Sequence, residues 1–152
     1  ETVLLASGDT IGLSALDNTG RLSALRYSFV VKGNSTSPVS LRFENEHDEF
    51  VDIQFDLQRS IVSVDRSESG TTSFNDQFGN LQKGVLTTTN DAFNVEVVID
   101  RSSLELFIDN GTTVMTTLVF PETVYDMMRV GLDSPSLHQV SVERLGSVWA
   151  SE

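Results

Sequence analysis

Apolar and polar residues alternate with a period of two along most of this chain. Val51, Ile53, Phe55 and Leu57 follow Phe50, and Asp52, Gln54 and Asp56 stand between them. Phe93, Val95, Val97 and Ile99 are spaced by Asn94, Glu96 and Val98, and Leu104, Leu106 and Ile108 by Glu105 and Phe107. Val140 and Val142 flank Ser141, with Glu143 after them. Successive side chains of a strand point to opposite faces, so this pattern predicts half-buried strands. Runs rich in β-branched and aromatic residues at Leu25–Val31, Val39–Phe43, Ile61–Val64 and Val114–Phe120 read the same way. Turn-forming clusters separate the runs, among them Lys32-Gly33-Asn34, Glu46-His47-Asp48, Ser67–Gly70, Phe78-Gly79-Asn80 and Asp109-Asn110-Gly111. No stretch carries a sustained helical period. Roughly ten or more short strands exceed what one open sheet carries comfortably, so two packed sheets are expected. The fold class is all-β: a two-sheet antiparallel β-sandwich of jelly-roll or lectin type, one domain over 1–152.

One hairpin has a register that the sequence addresses. A two-residue turn at Asn110-Gly111 would set Ile108 opposite Thr113 and Leu106 opposite Met115. A three-residue loop, Asp109-Asn110-Gly111, sets Ile108 opposite Thr112 and Leu106 opposite Val114, with Gly111 at positive φ. The second register brings Leu118 onto the face of Leu104. It is preferred, because apolar neighbours on one face fix strand register.

Composition narrows the function. A chain of 152 residues can bury a sizeable core without staples. Its 22 acidic residues against 10 basic ones give a formal charge of -12, which repels phosphate backbones and anionic lipid. Nucleic acid and membrane are therefore not expected partners; a neutral sugar is compatible. The absence of cysteine removes disulfides, thiolate metal sites and cysteine nucleophiles. The first residue is Glu1 rather than methionine, which leads us to expect a piece of a longer protein. Asn34-Ser35-Thr36 and Asn110-Gly111-Thr112 are sequons, acceptors for glycosylation in a secreted eukaryotic protein.

Candidate chemistry is sparse. Asp-Arg-Ser occurs twice at the end of an apolar alternating run, at Asp65, Arg66, Ser67 and at Asp100, Arg101, Ser102. An Asp beside an Arg can grip vicinal sugar hydroxyls. The same residues can equally build a turn, with Asp and Ser capping backbone amides and Arg forking onto a carboxylate across a sheet. Both copies lie where strands turn, so the structural reading carries more weight. The acidic loop Glu44–Glu49 lacks the spacing of a calcium loop and reads as a solvated hairpin tip. His47 and His138 adjoin no nucleophile motif, and no acid sits in a setting that would raise its pKa for general acid work. No catalytic residue, metal or cofactor is expected from this chain. Trp149, Tyr27 and Tyr125 are the candidate aromatic platforms for a sugar ring.

Two motifs together carry a family resemblance. "VDRSESGTTSF" (Val64–Phe74), followed by "VVIDRSSLELFIDNGTTVMTTLVFP" (Val97–Pro121), resembles the C-terminal β-sandwich domain of glycoside hydrolase family 32. The matching residues are Asp65, Arg66, Ser67, Ser69 and Gly70, then Asp100, Arg101, Ser102, Ser103, Glu105, Phe107, Gly111, Phe120 and Pro121. The resemblance implies a non-catalytic module of an invertase-, inulinase- or levanase-type enzyme acting on sucrose or fructans. It implies as partner an N-terminal five-bladed propeller that carries the catalytic Asn-Asp-Pro, Arg-Asp-Pro and Glu-Cys motifs, none of which occurs here. A homo-oligomeric contact, a sucrose- or fructan-type sugar ligand, and secretion or vacuolar location are further expectations of that resemblance. The alternative is a free-standing fructan- or glycan-binding module of lectin type.

Overall fold

A computed structural model describes residues 2–32, 37–87 and 91–145 of the chain. The sequon at Asn34 and the candidate platform Trp149 lie outside the described residues. Twelve strands run in order: β1 Val3–Leu5, β2 Thr10–Gly12, β3 Ala24–Lys32, β4 Val39–Glu44, β5 Phe50–Asp56, β6 Ile61–Asp65, β7 Gln82–Val85, β8 Ala92–Ile99, β9 Ser103–Ile108, β10 Thr113–Leu118, β11 Met127–Val130 and β12 Leu137–Leu145. They form two six-stranded sheets, β1-β12-β3-β8-β9-β10 and β2-β11-β4-β5-β6-β7. Every pairing is antiparallel. No helix is present among the described residues.

The predicted alternation is what packs the two sheets. Val51, Ile53 and Phe55 are buried, while Asp52, Gln54 and Asp56 face away from the core. Aromatic rings lock the sheets together: Tyr27 meets Phe43 edge-on at 5.0 Å, and Phe55 takes Phe29 and Phe93 at 6.4 and 6.2 Å. Each pair spans the interface, so these contacts add specific geometry to the apolar burial. In β12 the period of two slips. Gln139 adopts φ 51°, and the pairing jumps from His138↔Val30 to Ser141↔Ser28. This bulge turns both Leu137 and Val140 inward although they stand three residues apart.

Tyr27 and Tyr125 are fully buried core residues, not platforms. The Tyr27 hydroxyl has no hydrogen-bond partner among the described residues. Burial, with Asp126 nearby, pushes its pKa well above the usual phenol value. Because the hydroxyl is desolvated without compensation, Tyr27→Phe is expected to leave stability unchanged or to raise it by up to about 1 kcal/mol. A thermal melt checks this; a clear loss would show that the hydroxyl has a partner in solution.

The hairpin between β9 and β10 corrects the expected register. Ile108 stands opposite Thr113, Leu106 opposite Met115 and Leu104 opposite Thr117. The sequence argument gave positive φ to Gly111 alone. In the structure Asp109, Asn110 and Gly111 take φ of 52°, 58° and 89°, a run that Asp and Asn tolerate almost as Gly does. Asn94 of β8 holds this run: its carbonyl oxygens accept the Asp109 and Asn110 amides at 2.8 and 3.1 Å. As a result Thr113, Met115 and Thr117 face inward, and Val114 and Leu118 are 53% and 55% exposed. The inward threonines close the sandwich by hydrogen bonding to β7 of the other sheet. Thr113 Oγ1 donates to the Val85 carbonyl at 3.0 Å, and Thr117 Oγ1 to Gln82 Oε1 at 2.6 Å. Gly84 makes this approach feasible, since a Cβ there would stand 2.9 Å from Met115 Sδ.

Candidate functional site

The doubled Asp-Arg-Ser ends β6 in one sheet and links β8 to β9 in the other. In the first copy Asp65 Oδ1 accepts the Ser67 amide at 2.9 Å and its hydroxyl at 2.7 Å. In the second, Asp100 Oδ1 accepts the amides of Ser102 and Ser103 at 2.9 and 2.8 Å. Both are Asx-type turns, in which a short carboxylate replaces a backbone acceptor.

The arginines depart from the expectation of a fork onto a carboxylate. Arg66 Nε donates to the Phe78 carbonyl and Nη1 to the Leu118 carbonyl, each at 2.8 Å. Its guanidinium lies 3.7 Å over the Phe78 ring. Burial pulls its pKa below the usual arginine value. Arg101 is exposed. The turns need only Asp and Ser, so the Arg in each is free to do something different. Glu105, the last residue of the expected set, sits half-buried on the outward side of β9, opposite Thr116.

The two copies converge on one segment, Leu118-Val119-Phe120. Arg66 takes the Leu118 carbonyl, the Val119 amide donates to the Ser102 carbonyl at 3.0 Å, and the Thr71 amide donates to the Phe120 carbonyl at 3.1 Å. Gly70 presses directly on this segment. Its φ is 142°, and a Cβ there would fall 2.4 Å from the Phe120 carbonyl oxygen. Beneath it, the buried Tyr125 hydroxyl donates to the Ser69 carbonyl. Burial pushes the Tyr125 pKa well up. The corner presents apolar surface outward: Phe74 and Phe120 are 59% and 44% exposed and stack with Phe78. Leu118 and Val114 on β10 and Val85 on β7 are further exposed apolar residues of these two edge strands.

The acidic loop is organised by a buried asparagine. Asn45 Oδ1 accepts the His47 and Glu49 amides, and its Nδ2 donates to Glu49 Oε1 and to the Thr123 carbonyl. Glu49 Oε1 also accepts the Glu122 amide at 2.7 Å, so that oxygen is committed to holding the loop. Asn110 is exposed at its turn.

A second surface was not legible from motifs. The outward face of the second sheet forms a groove of about 650 Å³. Strand register lays Arg129, Arg42, Asp52 and Asp65 side by side across four strands. Arg42 forks onto Asp52 at 2.7 and 3.0 Å and lies 3.6 Å over the Phe50 ring. The Asp52 carboxylate raises the Arg42 pKa further, and Glu44 does the same to Arg129. The signal for this face is the polar phase of each alternating run.

The family model "Glycosyl hydrolases family 32 C terminal" matches residues 4–144. The chain belongs to this family. It is the family's C-terminal domain, a non-catalytic module. The extracellular exo-inulinase of Aspergillus awamori is 26% identical over 142 residues, covering 91% of this chain and 26% of the relative. A levanase of Bacillus subtilis (strain 168) is 27% identical over 105 residues, or 68% of this chain and 16% of that protein. The crystal structure of the A. awamori exo-inulinase superimposes with a TM-score of 0.78 at 21% identity, covering 98% of this chain and 29% of that one. Sucrose-6-phosphate hydrolase from Lactobacillus gasseri superimposes at 0.71 and 18% identity, covering 95% of this chain and 28% of that one. The family 32 module thus spans roughly a quarter or less of the length of these relatives.

Proposed function

We propose that this family 32 module is the C-terminal part of a secreted glycosidase of β-fructofuranosidase type acting on sucrose or fructans. Its role is to pack against an N-terminal five-bladed propeller that carries the chemistry. The observation that carries this reading is the family match over residues 4–144, together with the similarity to proteins named inulinase and levanase. Secretion is supported by the exo-inulinase relative, which is named extracellular.

The docking surface we assign is the β7–β10 edge with Val85, Val114, Leu118, Phe74 and Phe120. A run of exposed apolar side chains of this kind marks an interface when a partner exists. About three quarters of the exo-inulinase lies outside the matched region, which supports a catalytic domain as that partner. The free-standing lectin-like alternative draws less support, because the relatives above are several times longer. A homo-oligomeric contact remains part of the proposal through the same edge only if the catalytic domain leaves it uncovered.

The test compares two contexts. Leu118→Lys in this chain alone places a charge on an exposed edge position and is expected to shift stability by no more than about 0.5 kcal/mol. The same change in the intact protein buries an unpaired charge and is expected to cost about 3 kcal/mol or more of its stability. Equal, small effects in both contexts would reject the assignment of this edge.

A further inference from the structure

We propose that the groove on the outward face of the second sheet binds a neutral, polyhydroxylated sugar unit. The inference rests on the family reading only for its choice of fructose oligomer as probe.

The lining carries two guanidiniums and two carboxylates: Arg42 is forked onto Asp52, Arg129 onto Glu44 just outside the lining, and Asp65 is held by Ser67. A chain of net charge -12 that balances its charges here does not select an anion, and the two guanidiniums disfavour a free cation. What the groove offers is hydrogen-bonding capacity of both kinds. Arg42 commits Nε and Nη2 to Asp52, which leaves Nη1 to donate. Asp65 commits Oδ1 to Ser67, which leaves Oδ2 to accept. Gln54 and Ser63, neighbours across β5 and β6, make no side-chain hydrogen bond among the described residues. Vicinal hydroxyls donate and accept at once, and this mixture of fixed charge-assisted groups and unspent neutral ones matches them.

The walls fit the other half of a sugar's surface. Leu132 is 82% exposed and Leu81 50%, and both line the groove, where they can cover C–H faces. The floor is fixed by the central strands β4, β5 and β6 rather than by loops, so the donors and acceptors are held in place before binding. Gly131 admits the Ser40 side chain to that floor: a Cβ on residue 131 would lie 2.1 Å from Ser40 Oγ. The volume of about 650 Å³ is ample for one or two sugar rings.

The experiment titrates this chain, whose two sheets bury a shared core, with nystose while recording amide chemical shifts. Saturable shifts are expected at Arg42, Asp52, Gln54, Ser63 and Leu132. The double variant Gln54→Ala, Ser63→Ala removes no hydrogen bond made among the described residues. It is expected to weaken nystose binding by about tenfold with an unchanged melting temperature. Sodium phosphate at the same concentration is expected to leave these amides unmoved. Three results would each overturn the proposal: no saturable shift at tens of millimolar nystose, shifts confined to another face, or wild-type affinity in the double variant. None of these bears on the Leu118→Lys comparison, so failure here is distinguishable from failure of the interdomain reading.

Discussion

Gly70→Ala is expected to be the most damaging Gly→Ala change among the described residues, lowering stability by about 3–5 kcal/mol. Two costs combine. A φ of 142° lies where residues with a Cβ are strained, and the added methyl would stand 2.4 Å from the Phe120 carbonyl oxygen and 2.8 Å from Pro121 Cα. Both obstacles are backbone, so relief requires the Leu118–Pro121 segment to move, and with it the Thr71 and Arg66 hydrogen bonds. Gly111 provides the control. Its φ is 89°, but nothing lies within 4 Å of the added Cβ, so Gly111→Ala is expected to cost only about 1 kcal/mol. Urea unfolding midpoints read both. A cost at residue 70 no greater than at residue 111 would mean that the close approach to Phe120 does not exist.

Arg66→Ala and Arg101→Ala are expected to differ sharply although each arginine stands in an Asp-Arg-Ser triplet. Arg66 makes two charge-assisted hydrogen bonds to backbone carbonyls and covers the Phe78 ring, and it is partly desolvated. Losing these contacts, and stranding the Phe78 and Leu118 carbonyls, is expected to cost about 2–4 kcal/mol. Arg66→Lys would recover little, because one ammonium cannot reproduce the guanidinium's fork and stacking. Arg101 is exposed, and its replacement is expected to stay within about 0.5 kcal/mol. Equal costs would mean that the two corners are equivalent, as the bare repeat suggests.

The long strands were legible because each buries one face. From Leu25–Val31, Val39–Phe43, Phe50–Leu57 and Phe93–Ile99 the period of two is enough to give strand, face and sandwich. Val3–Leu5, Thr10–Gly12, Gln82–Val85 and Met127–Val130 are three or four residues long, too short to display a period. The β10 register differs from the sequence expectation for a physical reason. Placing apolar side chains inward is a sound rule where the outer face meets water. On β10 the outward Val114 and Leu118 lie on the apolar edge assigned to another domain, and the inward Thr113 and Thr117 serve as hydrogen-bond bridges to β7. The sugar groove is not visible in the sequence because its residues come from five separate segments, brought together by strand register and the adjoining loops.

The doubled Asp-Arg-Ser was readable as a pair of turns but not as a convergence. Nothing in a linear sequence says that Arg66, Thr71 and Ser102 all bind the one segment Leu118–Phe120. That convergence matters for the proposed role, since it fixes Leu118 and Phe120 in the orientation that exposes them.

The most direct measurement is a crystal structure of the intact protein. The account predicts that Val114, Leu118, Phe74 and Phe120 are covered by the catalytic domain while the Arg42–Asp65 groove stays open to solvent. A structure in which the catalytic domain sits on the groove and leaves the β7–β10 edge bare would contradict it.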